Sequence, residues 1–178
     1  MGKWLWFIFF LIPVSVFAQV FPVDAASGKI YYTEEVLVKD SPRSDLYFRA
    51  KSWFKSSSEN KQVLQIDDAV NGLIIGSNYS LLLVNDGHKH EPLRLWYTCK
   101  MEMEDDRYWF SLSDFEIQKD TLAVTAEKID LKQPLESMIY LKNKEKAENK
   151  PESSPEWLAE AAHQCILDLI ENLKTSML

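Results

Sequence analysis

Histidine, cysteine and glycine are scarce in this chain: its 178 residues include three His, two Cys and five Gly. So few glycines, spread along the sequence, leave no loop able to cradle a phosphate with backbone N–H groups. Two cysteines are too few for a disulfide-built scaffold or a four-thiolate zinc site. No Gly-x-Ser-x-Gly elbow and no His-Glu-x-x-His occurs anywhere, so the common hydrolase signatures are missing as well. Positive charge is in deficit, with 20 Lys and Arg against 27 Asp and Glu. The resulting net charge of −7 repels polyphosphate, which sets nucleic acid aside as a partner.

What is present begins with a leader. Met1-Gly-Lys3 precedes an unbroken apolar run from Trp4 to Val14, and Val16-Phe17-Ala18 then places small residues ahead of Gln19. A short cationic start, an apolar middle and small residues at the cut are what a signal peptidase reads, so residues 1–18 are expected to be a signal peptide. Apolar character continues through Val20-Phe21-Pro22-Val23, and a stretch of about 20 residues could instead stay as an anchor. Pro13 and Pro22 would interrupt such a helix, which favours cleavage. No cysteine lies near the cut, so a lipid-modified amino terminus is excluded. The reading places the protein in the periplasm or outside the cell, with no membrane insertion once the leader is gone.

The remainder reads as one α+β domain over residues 19–141, a charged linker over 142–155 and a terminal helix over 156–176. From Gly28 to Val38, Ile30, Tyr32, Val36 and Val38 alternate with Tyr31, Thr33 and Glu35, the period of a half-buried strand. The period then changes. Leu46, Tyr47, Ala50, Trp53 and Phe54 recur at three and four, predicting an amphipathic helix capped by the hydroxyl of Ser41 (with Pro42) or of Ser44. Four strands follow over 62–67, 73–84, 93–103 and 108–118, joined by Val70-Asn71-Gly72, Asn85-Asp86-Gly87 and Glu104-Asp105-Asp106. Short connections of this kind favour antiparallel neighbours. Residues 122–129 could be a sixth strand or an extended arm, and the sequence does not decide between them. In the last helix, Ser154 can serve as cap, and Leu158, Ala161, Ala162, Cys165, Ile166, Leu169 and Leu173 form the apolar stripe.

Strand, helix, four-stranded meander and helix predict a curved antiparallel sheet of about five strands with two helices on one face. This order, with Val23-Asp24, Gly28-Lys29-Ile30-Tyr31-Tyr32, Leu46-Tyr47-Phe48-Arg49-Ala50-Lys51-Ser52-Trp53-Phe54 and Ile74-Ile75-Gly76, resembles an uncharacterised domain family with a TBP-like fold found in exported Bacteroidetes proteins. The resemblance covers residues 21–119 and is most specific in the helix ending Ala-Lys-x-Trp-Phe. It implies the fold and an exported setting. It implies neither DNA binding nor any catalytic residue.

Candidate chemistry is sparse. Cys99, on the core side of a strand, and Cys165, on the stripe of the helix that must cover it, could be bridged in an exported protein; two buried thiols are the alternative. His88 and His90, beside Asp86 and Glu91, suggest a metal site only superficially, because they fall in a polar turn. His163 is expected at the surface. The paired acids Asp67-Asp68 and Asp105-Asp106 fall at turns, where carboxylates are simply solvated. Asn78-Tyr-Ser80 matches a glycosylation acceptor but sits in a strand.

The sheet face turned from the helices is the remaining candidate. It should present Tyr31 and Thr33, then Arg94, Trp96, Thr98 and Lys100, then Trp109, Ser111 and Ser113. Of these, Tyr31, Arg94, Trp96, Thr98, Lys100 and Trp109 could bind a protein or a glycan, since aromatic faces supply contact area at low entropy cost. An exposed sheet edge could equally accept a partner strand. No catalytic residue, metal or cofactor is assigned. The expectation is therefore a non-enzymatic envelope binding domain. The alternatives are a small envelope hydrolase with an unrecognised site and a structural domain that self-associates through its terminal helix.

Overall fold

The computed structural model describes residues 21–56, 63–85, 90–119, 132–139 and 155–178. The leader, the stretch 122–129, the linker 142–155 with Ser154, and His88 lie outside these residues. Strand β1 (Tyr32–Leu37) leads into helix α1 (Arg43–Ser56), and β2 (Val63–Asp68), β3 (Leu73–Asn85), β4 (His90–Glu104) and β5 (Arg107–Lys119) follow. A two-residue strand β6 (Gln133–Pro134), a short helix α2 (135–139) and helix α3 (Pro155–Ser176) complete the order. The sheet is antiparallel in the order β1-β5-β4-β3-β2, with β6 paired to β5 beyond the end of β1. This is the α+β arrangement that the periodicity predicts, with the ends of β2 to β5 displaced by three residues at most, β1 starting four residues later than expected, and β6 and α2 added. None of the helices among the described residues is long and apolar enough to cross a membrane.

Alternation along β4 decides the architecture. Leu93, Leu95, Tyr97, Cys99, Met101 and Met103 are buried, and the residues between them are partly or fully exposed. Across the sheet, Ile74 of β3 and Tyr108, Phe110, Leu112, Phe115 and Ile117 of β5 bury the same side. Helix α1 lays Leu46, Tyr47, Ala50, Trp53 and Phe54 onto it, the five positions its period singles out. Helix α3 adds Leu158, Ala162, Ile166, Leu169 and Leu173. The two helices are tied to each other by Trp53 Nε1–H, which donates to Asn172 Oδ1 at 2.9 Å. Arg49 of α1 also donates to the carbonyls of Met177 and Leu178, placing a cation at the negative end of α3.

Two irregularities keep the strands in phase. In β5 the buried set steps from Leu112 to Phe115, and Asp114, with φ of 52°, is the extra residue opposite Tyr97. A second shift occurs in β2 between Leu64 and Ile66. Each inserts one residue that would otherwise turn every later side chain to the wrong face.

The start of α1 departs from expectation. Neither serine hydroxyl caps it: the N–H of Arg43 donates to Asp105 Oδ1 at 2.8 Å, and the N–H of Ser41 donates to Asp106 Oδ1 at 3.1 Å. Ser44 Oγ turns instead to Asp45 Oδ1 at 3.4 Å. The β4–β5 turn thus holds the Asp105 carboxylate on the first N–H of the helix, where a full negative charge meets the helix dipole, and the Asp106 carboxylate on the segment leading into it. These acids are structural caps, contrary to the reading that they are merely solvated. The carbonyl of Asp106 also accepts from Val38 N, and its N–H donates to Ser41 O, which stitches the β1–α1 corner to the hairpin.

Gly72, at the β2–β3 turn, has φ of +65°, and a Cβ there would stand 2.6 Å from the carbonyl oxygen of Met103. Gly28 has φ of +68° with open space around it. Gly28→Ala should therefore lose about 1 kcal/mol, the left-handed penalty alone. Gly72→Ala should lose about 2 kcal/mol or more, because the β3–β4 contact must also open. Urea unfolding of the two variants checks the difference.

Candidate binding surface

Strand register sorts the open face into rows. At one end Asp68, Leu73, Glu102, Trp109 and Glu35 lie side by side across β2, β3, β4, β5 and β1. The next row is Ile66, Ile75, Lys100, Ser111 and Thr33, followed by Ser77, Thr98 and Ser113. Beyond these come Tyr79, Trp96 and Glu116, then Leu81, Arg94 and Gln118. The face is therefore a belt of small hydroxyl side chains between two aromatic ends. Thr98 Oγ1 and Ser77 Oγ lie 3.4 Å apart within that belt.

Of the six residues expected on this face, the register places Arg94, Trp96, Thr98, Lys100 and Trp109 in these rows, in separate groups, and Tyr31 lies just before β1, outside the paired rows. Trp96 and Trp109, which pairs with Glu102, are separated along β4 by six residue steps, about 20 Å of strand, so the rings form no common platform. Trp96 is engaged within the chain. Its ring lies 4.9 Å from that of Tyr79, the Lys132 ammonium is 3.6 Å from its centroid, and its N–H donates to Gln118 Oε1 at 2.8 Å. Arg94 lies over Tyr79 at 4.9 Å, and Lys100 pairs with Glu102 at 3.0 Å. Tyr31 is 39% exposed at the β1 margin.

Trp109 stands differently. Its ring has the Arg107 guanidinium at 5.8 Å and borders an open groove of about 460 Å³ lined also by Asn71, Leu73, Glu102, Met103 and Glu104. Sequence reading singled out Trp109 but not its neighbours. Leu73 and Glu102 join it only through the β3–β4–β5 register, and Tyr79 and Lys132 reach Trp96 by the same kind of long-range pairing.

On the helix side, Cys99 and Cys165 are free thiols, with no bond between them. Burial pushes both thiols up, and the hydroxyl of Ser80 hydrogen-bonds to Cys165 and to Tyr97. Burial also raises Tyr97, to a lesser degree helped by the two thiols, and pushes Tyr32 up to about 12. Tyr108 reaches about 12 through burial first and Glu34 second. His163 is not the surface residue expected. Its Nδ1 lies 2.8 Å from Tyr32 Oη and its ring meets Phe21 edge-on at 5.4 Å, so α3 clasps β1 and the segment before it. Asn78 is buried and its Oδ1 accepts from Tyr79 N, which removes it from any glycosylating enzyme in the folded chain. His90 pairs with Asn85 through the backbone at the ends of β3 and β4. Among the described residues, no three His, Cys, Asp or Glu side chains converge as metal ligands.

Residues 32–118 match the family model described as a domain of unknown function (DUF4468) with TBP-like fold. The chain carries a DUF4468 domain. Two solved structures share the architecture. A TBP-like protein from Parabacteroides distasonis aligns with a TM-score of 0.67 and 19% identity, over 89% of this chain and 97% of that one. A DUF4468 family protein from Bacteroides ovatus aligns with a TM-score of 0.64 and 12% identity, over 90% and 91% of the two chains. No curated protein matches. At these identities the likeness establishes the fold, and it agrees with the resemblance drawn from the helix and strand segments.

Two outcomes follow from the buried face. Since the thiolate is the reactive form, Cys99 should resist alkylation at pH 8 in the folded protein and react fully in urea, as mass spectrometry can read. Tyr32 and Tyr108 have folded-state values raised above the ordinary 10.0, so the stability they contribute is fully present below pH 10 and is lost as the pH rises towards 12. Absorbance at 295 nm should show these phenols ionising together with alkaline unfolding, after the exposed ones.

Proposed function

We propose that this DUF4468 chain is an exported, non-enzymatic binding domain of the bacterial envelope that contacts a protein or glycan through its open sheet face. The observation that supports the reading is the one-sided cover among the described residues: α1 and α3 lie on the same face, and the opposite face keeps Trp109 beside a groove. A large aromatic lining an open groove is the usual anchor of a recognition surface. The leader over residues 1–18 supports export, and the acidic balance argues against a polyanionic partner. Self-association through α3 loses its basis, since Leu158, Ala162, Ile166, Leu169 and Leu173 are buried against the sheet.

Export is checked by fractionating cells that express the full chain and sequencing the product: a periplasmic or secreted species beginning at Gln19 is expected. A full-length product retained in the cytoplasm would refute it. For the surface, Trp109→Ala should leave the unfolding midpoint within about 1 kcal/mol of the parent while abolishing retention of envelope extract components on immobilised protein. Equal retention by parent and variant would remove Trp109 from the role.

A further inference from the structure

We infer that the groove beside Trp109 receives the lysine or arginine side chain of a basic segment in a protein partner. This rests on the reading of the open face as a binding surface and names the chemistry of its occupant. The groove is lined by Asn71, Leu73, Glu102, Met103, Glu104 and Trp109, and none of these is a cation. Its polar side chains present oxygen. Asn71 uses its amide nitrogen to donate to Asp68 Oδ2 at 2.6 Å, leaving its own oxygen as the acceptor on offer. The carboxylates of Glu102 and Glu104 are 53% and 65% exposed.

Each carboxylate also keeps an oxygen for a newcomer. Lys100 pairs with Oε1 of Glu102 at 3.0 Å, and Arg107 Nε approaches Oε2 of Glu104 at only 3.9 Å. Exposed pairs of this kind are weak, so they yield readily to a better-placed cation. Two main-chain N–H groups of the lining are already engaged, Met103 N with Gly72 O at 2.8 Å and Asn71 N with Asp68 Oδ1 at 3.1 Å. Trp109 supplies the second half of the recognition. Arg107 at 5.8 Å from its centroid is an internal example of a guanidinium drawn to this ring.

A space of about 460 Å³ admits a long cationic side chain with its methylene stem along Leu73 and the indole. A neutral glycan would meet the same aromatic wall, but it needs donors as well as acceptors, and against the oxygens of Asn71, Glu102 and Glu104 the lining side chains offer only the indole N–H and the second amide N–H of Asn71. The overall charge of −7 favours the approach of a basic partner over a long range.

The test follows the indole N–H resonances of the full chain by two-dimensional NMR, with Trp109→Phe assigning the signal. The probes are an acetylated, amidated Gly-Lys repeat hexapeptide and neutral chitotetraose, each at low ionic strength. The peptide should shift the Trp109 signal saturably, and its affinity should fall about tenfold or more in the double variant Glu102→Gln, Glu104→Gln. The double variant Glu160→Gln, Glu171→Gln, which removes the same charge from the exposed side of α3, should bind like the parent. Equal peptide affinity in the groove variant and the parent would overturn the inference, as would equal losses in both double variants. If chitotetraose moves the Trp109 signal and the peptide does not, this inference falls and the open-face reading stands. If neither probe moves the signal of Trp109 or Trp96, both fall.

Discussion

Among the described residues, two helices cover one face of the sheet and leave the other open, and this asymmetry governs the rest of the molecule. A sheet with a single covered face must alternate along every strand, because one slip in register carries an entire apolar set into water. The residues at Asp114 and between Leu64 and Ile66 that interrupt the ladders are consistent with that requirement. The one at Asp114 returns Phe115 and Ile117 to the core.

The cover itself is held by directional contacts at its margins. Asp105 anchors the first turn of α1, and Asp106 the residue Ser41 before it, to the β4–β5 hairpin; Trp53 reaches Asn172 of α3, and Lys174 of α3 pairs with Glu34 of β1 at 2.5 Å. Tyr47 and Lys51 of α1 both bond to Asp67 on the outer strand β2. His163 and Arg49 complete the ring of ties. Packing fixes which face is buried, and these bonds fix how the helices lie upon it.

The same asymmetry separates structural chemistry from recognition chemistry. The thiols, the raised phenols and the buried Asn78 sit on the covered side, where low polarity keeps them protonated or bonded and inert. The open side carries hydroxyls, exposed ion pairs and two tryptophans in unequal states. Trp96 is enclosed by Tyr79, Gln118 and Lys132, and Trp109 borders a groove whose side chains bear no positive charge. Residue type alone makes the two indoles look equivalent. Their neighbours across the ladders make them different.

Local pattern determined the elements: the period of two in 93–103, the period of three and four in 46–54 and the stripe of 158–173 each dictate a strand or a helix, because burial of one face requires that spacing. It also determined which residues of β4, and of β5 as far as Ser113, face away from the helices; beyond Asp114 the bulge reverses the phase. Only the tertiary structure decided the order of strands, the capping of α1 by a turn some sixty residues away, the clasp at His163 and the assembly of Asn71, Leu73, Glu102 and Trp109 around one groove. Those features join residues from different strands and turns, and the pairings that bring them together depend on chain closure and register, which leave no mark on the spacing of residues along the sequence.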